Sequence, residues 1–384
     1  MKVRLGSILK EFKAKPPKGS NPEVLTLTER NGFVRQADRF NKRLATEDVS
    51  GYKYIELDDF AFNPYLLWAG AIARNGHFAN GVISPLYPTF RLSPGNHAGY
   101  VERLVLSRQL ISAYDNIAFG SVPRRRRSSV KDFLDLEVPA LPPLDEQRRI
   151  AAILDKADEL RIKRRETLAH LDSLIQSIFH AMFDQFLVDT AATVGSTGLV
   201  QLGRQRAPKY QSGNHTRPYM RVANVKLNEL DLSDVLQMDF DEKDFKAYQL
   251  NYGDILLNEG QSTELVGRPA MWRDEIEDCC FQNTLVRYVA DPGLIVPEFA
   301  LATFLYYFHR GEFAKISSKT SSIAHLGAAR FARMPMPTPP LELQQKFARR
   351  VSAVERLKDI HRKHLAELEA LFASLQHRAF KGEL

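Results

Sequence analysis

Cysteine is nearly absent. Cys279 and Cys280 are the only two in 384 residues, and as chain neighbours they suit neither a stabilising disulfide nor a four-ligand zinc site. No stretch approaches the ~18 uninterrupted apolar residues that a membrane span needs. The start, Met1 to Lys15, carries basic residues without the apolar core and small-residue cleavage site of a secretory signal. There is no Walker A sequence. No glycine loop follows a buried strand with an acidic partner at Rossmann spacing, and the ten histidines have no metal-ligand spacing. Asn63-Pro64-Tyr65 is one proline short of the motif expected for amino methylation. These absences predict a cytoplasmic protein without catalytic equipment, cofactor site or metal site of its own.

What the chain does have is a repeat. Pro142-Pro143-Leu144-Asp145-Glu146-Gln147 recurs as Pro339-Pro340-Leu341-Glu342-Leu343-Gln344, 197 residues later. The offset continues without a gap, and 14 of 42 aligned positions are identical, too many for a shared helical period alone. Leu160, Leu168, Leu171, Leu174, His180 and Phe183 match Leu357, Leu365, Leu368, Leu371, His377 and Phe380. Fainter matches precede both copies. Asp59–Asn63 resembles Asp254–Asn258 at offset 195, and Phe133 and Pro139 match Phe331 and Pro337 at offset 198.

The repeated segments carry apolar residues at spacings of three and four, which predicts long helices with heptad character. Each is opened by a proline pair and is free of internal glycine or proline. A helix of ~36 residues is about 54 Å long and needs a partner, most simply the other copy in an antiparallel pair. The segments before them mix short β-type runs (Tyr54–Leu57, Leu256–Leu257, Thr89–Leu92, Thr284–Val289) with helical stretches at Glu102–Ala113 and Pro297–His309. Gly76–Pro88 and Gly195–Gly203 read as loops. The expected fold is α+β: two pseudo-repeated α/β domains, 1–140 and 185–338, separated by two long antiparallel coiled-coil helices, 141–184 and 339–384.

Charge is uneven. The net +7 of the chain lies in residues 1–140 (21 − 14 = +7), whereas 141–184, 185–338 and 339–384 give −1, −2 and +3. Arg124-Arg125-Arg126-Arg127 with Ser128 is the sharpest local feature. Four guanidiniums in a loop suit phosphates and guanine edges. The second half has a counterpart before its long helix in Lys315, Lys319, Ser321 and His325. A further basic group is formed by Arg204, Arg206, Lys209, Arg217 and Arg221, and Asn224 offers an amide of the kind that reads adenine. These are the candidate DNA-binding residues.

Two variable domains, each followed by a long helix opened by Pro-Pro-Leu-x-x-Gln, resemble the specificity subunit of type I restriction-modification systems over the whole chain. The second copy departs from the usual pattern at Leu343, where glutamate is common. The resemblance implies two target-recognition domains that each read half of a split, asymmetric site in double-stranded DNA. It also implies an antiparallel helix pair that spaces them and docks two adenine-N6 methyltransferase subunits and, through these, restriction (translocase) subunits. S-adenosylmethionine and Mg/ATP belong to those partners, and the role is defence against foreign DNA. The residues alone also admit a recognition subunit of another methyltransferase or defence assembly, or a coiled-coil scaffold without a DNA role.

Overall fold

The computed structural model describes residues 2–384 except 21, 29–30, 40–47, 121–125, 189–190, 207–211 and 320–322. The chain forms two compact units, Met1–Arg165 with Lys363–Leu384, and Glu166–Arg362. The boundary therefore cuts through both long helices, because each half-helix packs on the globular part at its own end. Expectation had set the helices apart as separate segments.

Unit 1 is built on a four-stranded antiparallel sheet. Its strands are β1 (Leu9–Phe12), β2 (Phe60–Phe62), β3 (Ile72–Arg74) and β4 (Thr89–Leu92), in the order β1-β4-β2-β3. The central β2, Phe-Ala-Phe, is buried throughout. Helices α1 (Ala98–Val105), α2 (Arg108–Asn116) and α3 (Val130–Asp135) follow. The single helix expected over Glu102–Ala113 is thus two. Ser107 ends the first stretch and caps the next, its hydroxyl accepting from the Leu110 N–H. Phe62, Phe90, Tyr114 and Phe133 meet in the core with ring centroids 4.9–5.8 Å apart.

Unit 2 repeats the sheet. Strands β5 (Gly198–Leu202), β6 (Ile255–Asn258), β7 (Pro269–Met271) and β8 (Leu285–Ala290) take the order β5-β8-β6-β7, again all antiparallel. Helix α5 (Pro297–His309) begins and ends as its sequence predicts, with proline at its first position. Gly195–Gly203 is a strand preceded by a short helical turn, where the sequence suggested a loop. Its glycines mark close approach. A Cβ on Gly198 would lie 2.3 Å from the Val289 carbonyl oxygen, and one on Gly203 2.2 Å from that of Gln282. Gly76–Pro88 likewise holds a strand, Asn80–Ile83, paired with Lys53–Glu56.

The faint sequence match at Asp59 and Asp254 has a physical cause. Each aspartate is buried beside its sheet and pairs with an arginine on the neighbouring strand, Asp59 with Arg91 on β4 and Asp254 with Arg287 on β8. Each guanidinium also lies over a phenylalanine ring, Phe12 at 4.6 Å and Phe281 at 4.9 Å. Burial pushes both carboxyls above their ordinary range despite the arginine.

The long helices are α4 (Leu144–Phe183) and α7 (Leu341–Ala379), of 40 and 39 residues. In unit 1 the start of α4 packs against the end of α7. Ile150, Ala151 and Leu154 share a core with Ala379 and Phe380, Arg165 pairs with Glu369 at 2.6 Å, and Arg161 lies over Phe372 at 4.3 Å. In unit 2 the end of α4 packs against the start of α7, through Phe179 and Phe183 on Phe347 and through Asp172 on Lys358 at 2.7 Å. The two segments run antiparallel within each unit. Lys358 is the repeat of Arg161 (358 − 197 = 161), and each pairs with the carboxylate three residues before it, Glu355 and Asp158. Not all of the apolar stripe is covered. Leu160 and Leu371 in unit 1, and Leu174 and Leu357 in unit 2, are exposed although their spacing assigned them to the seam.

Arg91 is half exposed (52%), whereas Arg287 is 7% exposed. Asp254→Ala should therefore destabilise unit 2 by about 3–5 kcal/mol, the cost of leaving a buried charge without its partner. Asp59→Ala should cost clearly less in unit 1, and thermal unfolding of the two variants measures the difference.

Candidate nucleic-acid interface

In unit 1 the chain leaves α2, forms a narrow antiparallel pair between Phe119 and Arg127, and enters α3. Phe119 and Arg127 exchange both backbone hydrogen bonds, at 3.1 and 3.0 Å. The next residue, Ser128, donates its N–H to the Pro64 carbonyl at 2.9 Å, fixing this hairpin to the β2–β3 connection. In unit 2 the hairpin is β9 (Ser318–Lys319) with β10 (Ala324–His325). The next residue, Leu326, donates its N–H to the Glu259 carbonyl at 2.8 Å, fixing it to the β6–β7 connection. Helix α6 (Ala328–Ala332) follows in the place of α3. Both units thus carry a hairpin at the same position in the chain path, held by the same backbone bond.

Arg124 and Arg125, and Ser321, belong to the spans joining the two hairpin stems and lie outside the described residues, as does Lys209. Arg127 is exposed with its guanidinium 5.7 Å from the ring of Tyr65, itself partly exposed. Phe119 is exposed beside it. Arg126 faces the other way. It pairs with the Asp115 carboxylate at 2.5 Å, donates to the Asp115 and Ala118 carbonyls, and covers Trp68, so it braces the hairpin. Ser128 is buried, with an Oγ that has no hydrogen-bond partner among the described residues. In unit 2 Lys319 is exposed, Lys315 is paired with Glu312, and His325 Nδ1 lies 3.0 Å from Glu259 Oε2.

The remaining candidates divide sharply. Arg206 is exposed. Arg204 pairs with Asp244, Arg217 with Asp278 and Arg221 with Asp234, and Arg204 and Arg217 also lie over Phe240 and Phe245. These three arginines brace the strand layer Thr216–Met220, Leu236–Asp239 and Cys280–Phe281 and its neighbours. Asn224 is corrected outright. At 2% exposure its Oδ1 accepts from the Arg221 N–H, and its Nδ2 donates to the Asp231 and Asp234 carbonyls. It closes a turn and presents no amide to a base.

Two residues escaped the sequence reading. Arg268, just before β7, is partly buried with an Nε that finds no hydrogen-bond partner, and it makes no ion pair among the described residues. Burial pulls its pKa down with no carboxylate to oppose it, which suits an incoming anion. Nothing in Val266-Gly267-Arg268-Pro269 signals this, because the cause is tertiary. Asp239 is the second. Its carboxylate accepts from the Ser212 and Gly213 N–H groups and from the Ser212 and Thr216 hydroxyls, which hold its pKa down at about 2. It anchors the chain at Ser212–Thr216. Since its folded-state pKa is depressed, this anchor is present at neutral pH and fails only as the pH falls through about 2. Asp239→Ala should speed amide exchange at Ser212–Thr216 at pH 7, while Asn224→Ala should instead speed it at Arg221–Asp234.

Among the described residues no group of His, Cys, Asp or Glu could hold a metal ion, and no helix is long and apolar enough to cross a membrane. Comparison with known proteins places this architecture. Residues 198–370 match the family described as the type I restriction modification DNA specificity domain. A protein of Methanocaldococcus jannaschii, named for the specificity subunit of the type I restriction enzyme MjaX, is 22% identical over 141 residues. That alignment covers 36% of this chain and 33% of the relative's length. A chain from a solved type I restriction-modification system, described for its complex assembly and conformational transition, has a TM-score of 0.57 at 18% identity and covers 100% of this chain and 98% of its own. The crystal structure of a type I specificity subunit from M. genitalium gives 0.57 at 14% identity, over 99% and 96%. Residues 198–370 thus resemble the type I specificity domain in sequence, and the whole chain shares its fold with the two solved chains.

Proposed function

We propose that this chain reads a split, asymmetric site in double-stranded DNA, one half with each unit, and leaves all chemistry to other subunits. The observation that carries the reading is the duplicated hairpin, set on two sheets of identical strand order and joined by helices without a break. Half-sites one duplex turn apart have centres ~34 Å apart, within reach of helices about 60 Å long. Stiff helices hold one gap, whereas a flexible linker would accept many. Phosphate contacts set register and base edges specify sequence, and tethering adds affinity. The two hairpins differ in chemistry. The first offers Arg127 over Tyr65, the second Lys319 with hydroxyls and His325.

The partners in this reading are two adenine-N6 methyltransferase subunits, with S-adenosylmethionine, and through them restriction subunits using Mg/ATP, all in the cytoplasm. Adenine must leave the stack to be methylated, which a partner's pocket performs. The number two is supported by the helices, because the uncovered leucines come as repeats, Leu160 with Leu357 and Leu174 with Leu371, so one docking chemistry is offered twice.

Three outcomes test the proposal. Exchanging residues 1–140 for those of another specificity subunit should change one half-site in a long-read methylation map and leave the other intact. Inserting four residues into α4 adds ~6 Å and should lengthen the gap by about 1–2 base pairs; an unchanged gap would sink the spacer role. Arg127→Gln should lower the slope of log affinity against log salt by about 1, whereas Arg126→Gln should act first on stability.

A further inference from the structure

The glutamine that closes each Pro-Pro-Leu-x-x-Gln motif is buried, Gln147 at 2% exposure and Gln344 at 0%. Gln147 lies in the first turn of α4. Its Nε2 donates to the Pro142 carbonyl at 2.8 Å, and its Oε1 accepts the His97 N–H at 2.8 Å. His97 is the N-cap of α1. Gln344 does the same in unit 2. Its Nε2 donates to the Pro339 carbonyl at 2.8 Å and to Leu294 at 3.0 Å, and its Oε1 accepts the Val296 N–H, at the N-cap of α5, at 2.9 Å. One side chain therefore joins the first turn of a long helix to the first turn of a helix on the sheet, twice.

A ring contact lies under each clasp. Tyr100 of α1 meets Phe380 at 5.6 Å, and Phe299 of α5 meets Phe183 at 4.7 Å, again repeats of one another. In unit 1 a second polar anchor stands further along α4, where Arg103 of α1 grips Asp155 and Asp158 at 2.9 and 2.8 Å. Residues 147 and 158 are about 16 Å apart along the helix axis. Attachment at two such points sets an angle; in unit 2 the second hold on α7 is Phe347, packed on Phe183, which in turn meets Phe299 of α5.

The angle matters because a rod amplifies it. A tilt of about 5° at the base of a helix about 60 Å long moves the far end about 5 Å, more than the ~3.4 Å between base pairs. We infer that Gln147 and Gln344 are positioning residues that fix the angle at which each long helix leaves its sheet, and so restrict the DNA gap the protein accepts. Both are buried in the fold, away from any base. Apolar packing of the same helices would hold the fold without selecting one gap, since it is non-directional, whereas a buried amide with both ends bonded is satisfied in one geometry.

The inference rests on the two-half-site reading, and one experiment separates the two. Methylation is mapped in the host carrying the natural chain, then Gln147→Ala, Gln344→Ala, Gln147→Glu or Gln344→Glu. If the natural chain yields no split motif, the reading itself falls and this inference with it. If it yields one, the alanine variants should keep both half-site sequences but accept gaps one base pair longer or shorter about tenfold more often, the change expected from losing one buried hydrogen-bonded clasp. The glutamate variants keep the acceptor for His97 or Val296 and lose the donor, and should fall between. A gap that stays fixed in every variant that still methylates would overturn the inference. Loss of methylation by all four would overturn it too, because the glutamines would then serve folding or assembly instead of the gap.

Discussion

A helix of 40 residues with most of its surface in water gains little from its own hydrogen bonds. What holds it is its grip at each end, and in this protein that grip is a junction of three pieces. One is the first turn of a helix lying on a sheet. Another is the first turn of a long helix, and the third is the last turns of the other long helix. Tyr100, Ile150 and Phe380 make the junction in unit 1, and Phe299, Phe347 and Phe183 make it in unit 2. Each junction is apolar at its centre and carries one amide bonded at both its nitrogen and its oxygen. The sheets, the hairpins and the helices all refer to it.

The helices and the repeat were legible because both are one-dimensional. Spacing of three and four, a proline pair and a fixed offset need no partner to be seen. The α5 boundaries were legible for the same reason, with Pro297 at the start. The pairing of Asp59 with Arg91 and of Asp254 with Arg287 left only a faint trace, since the aspartates recur in matching context while their arginines sit on another strand. The role of Gln147 was invisible, since it depends on His97, fifty residues away. The stripe was read too wide. Leu160 and Leu174 fit the period but face water, because spacing identifies an apolar side and not how much of it a neighbour covers.

Charge counted along the chain does not tell which cations the fold has already paired. Lysines and arginines counted along the chain favoured Arg204, Arg217 and Arg221, yet all three are committed to carboxylates and two also to aromatic rings. Arg268, which makes no ion pair among the described residues, lies in an unremarkable apolar stretch. A guanidinium is available to a phosphate only if the fold has not already answered its charge, and that answer is a matter of tertiary contact. The hairpins were found in the sequence by their basic and hydroxyl residues, and their equivalence became visible only through the backbone bonds from Ser128 to Pro64 and from Leu326 to Glu259.

The packing of Ala379 and Phe380 into the same core as Leu5, Phe60 and Tyr100 has a consequence for biogenesis. During translation, Phe380 emerges 280 residues after Tyr100 (380 − 100 = 280). The amino-terminal half therefore leaves the ribosome with a gap in its interior and cannot complete its core until unit 2 and both helices have been made. Unit 2 has no such debt, because its own sequence is continuous from Glu166 to Arg362. Of the two, only unit 2 is closed by one uninterrupted stretch of chain.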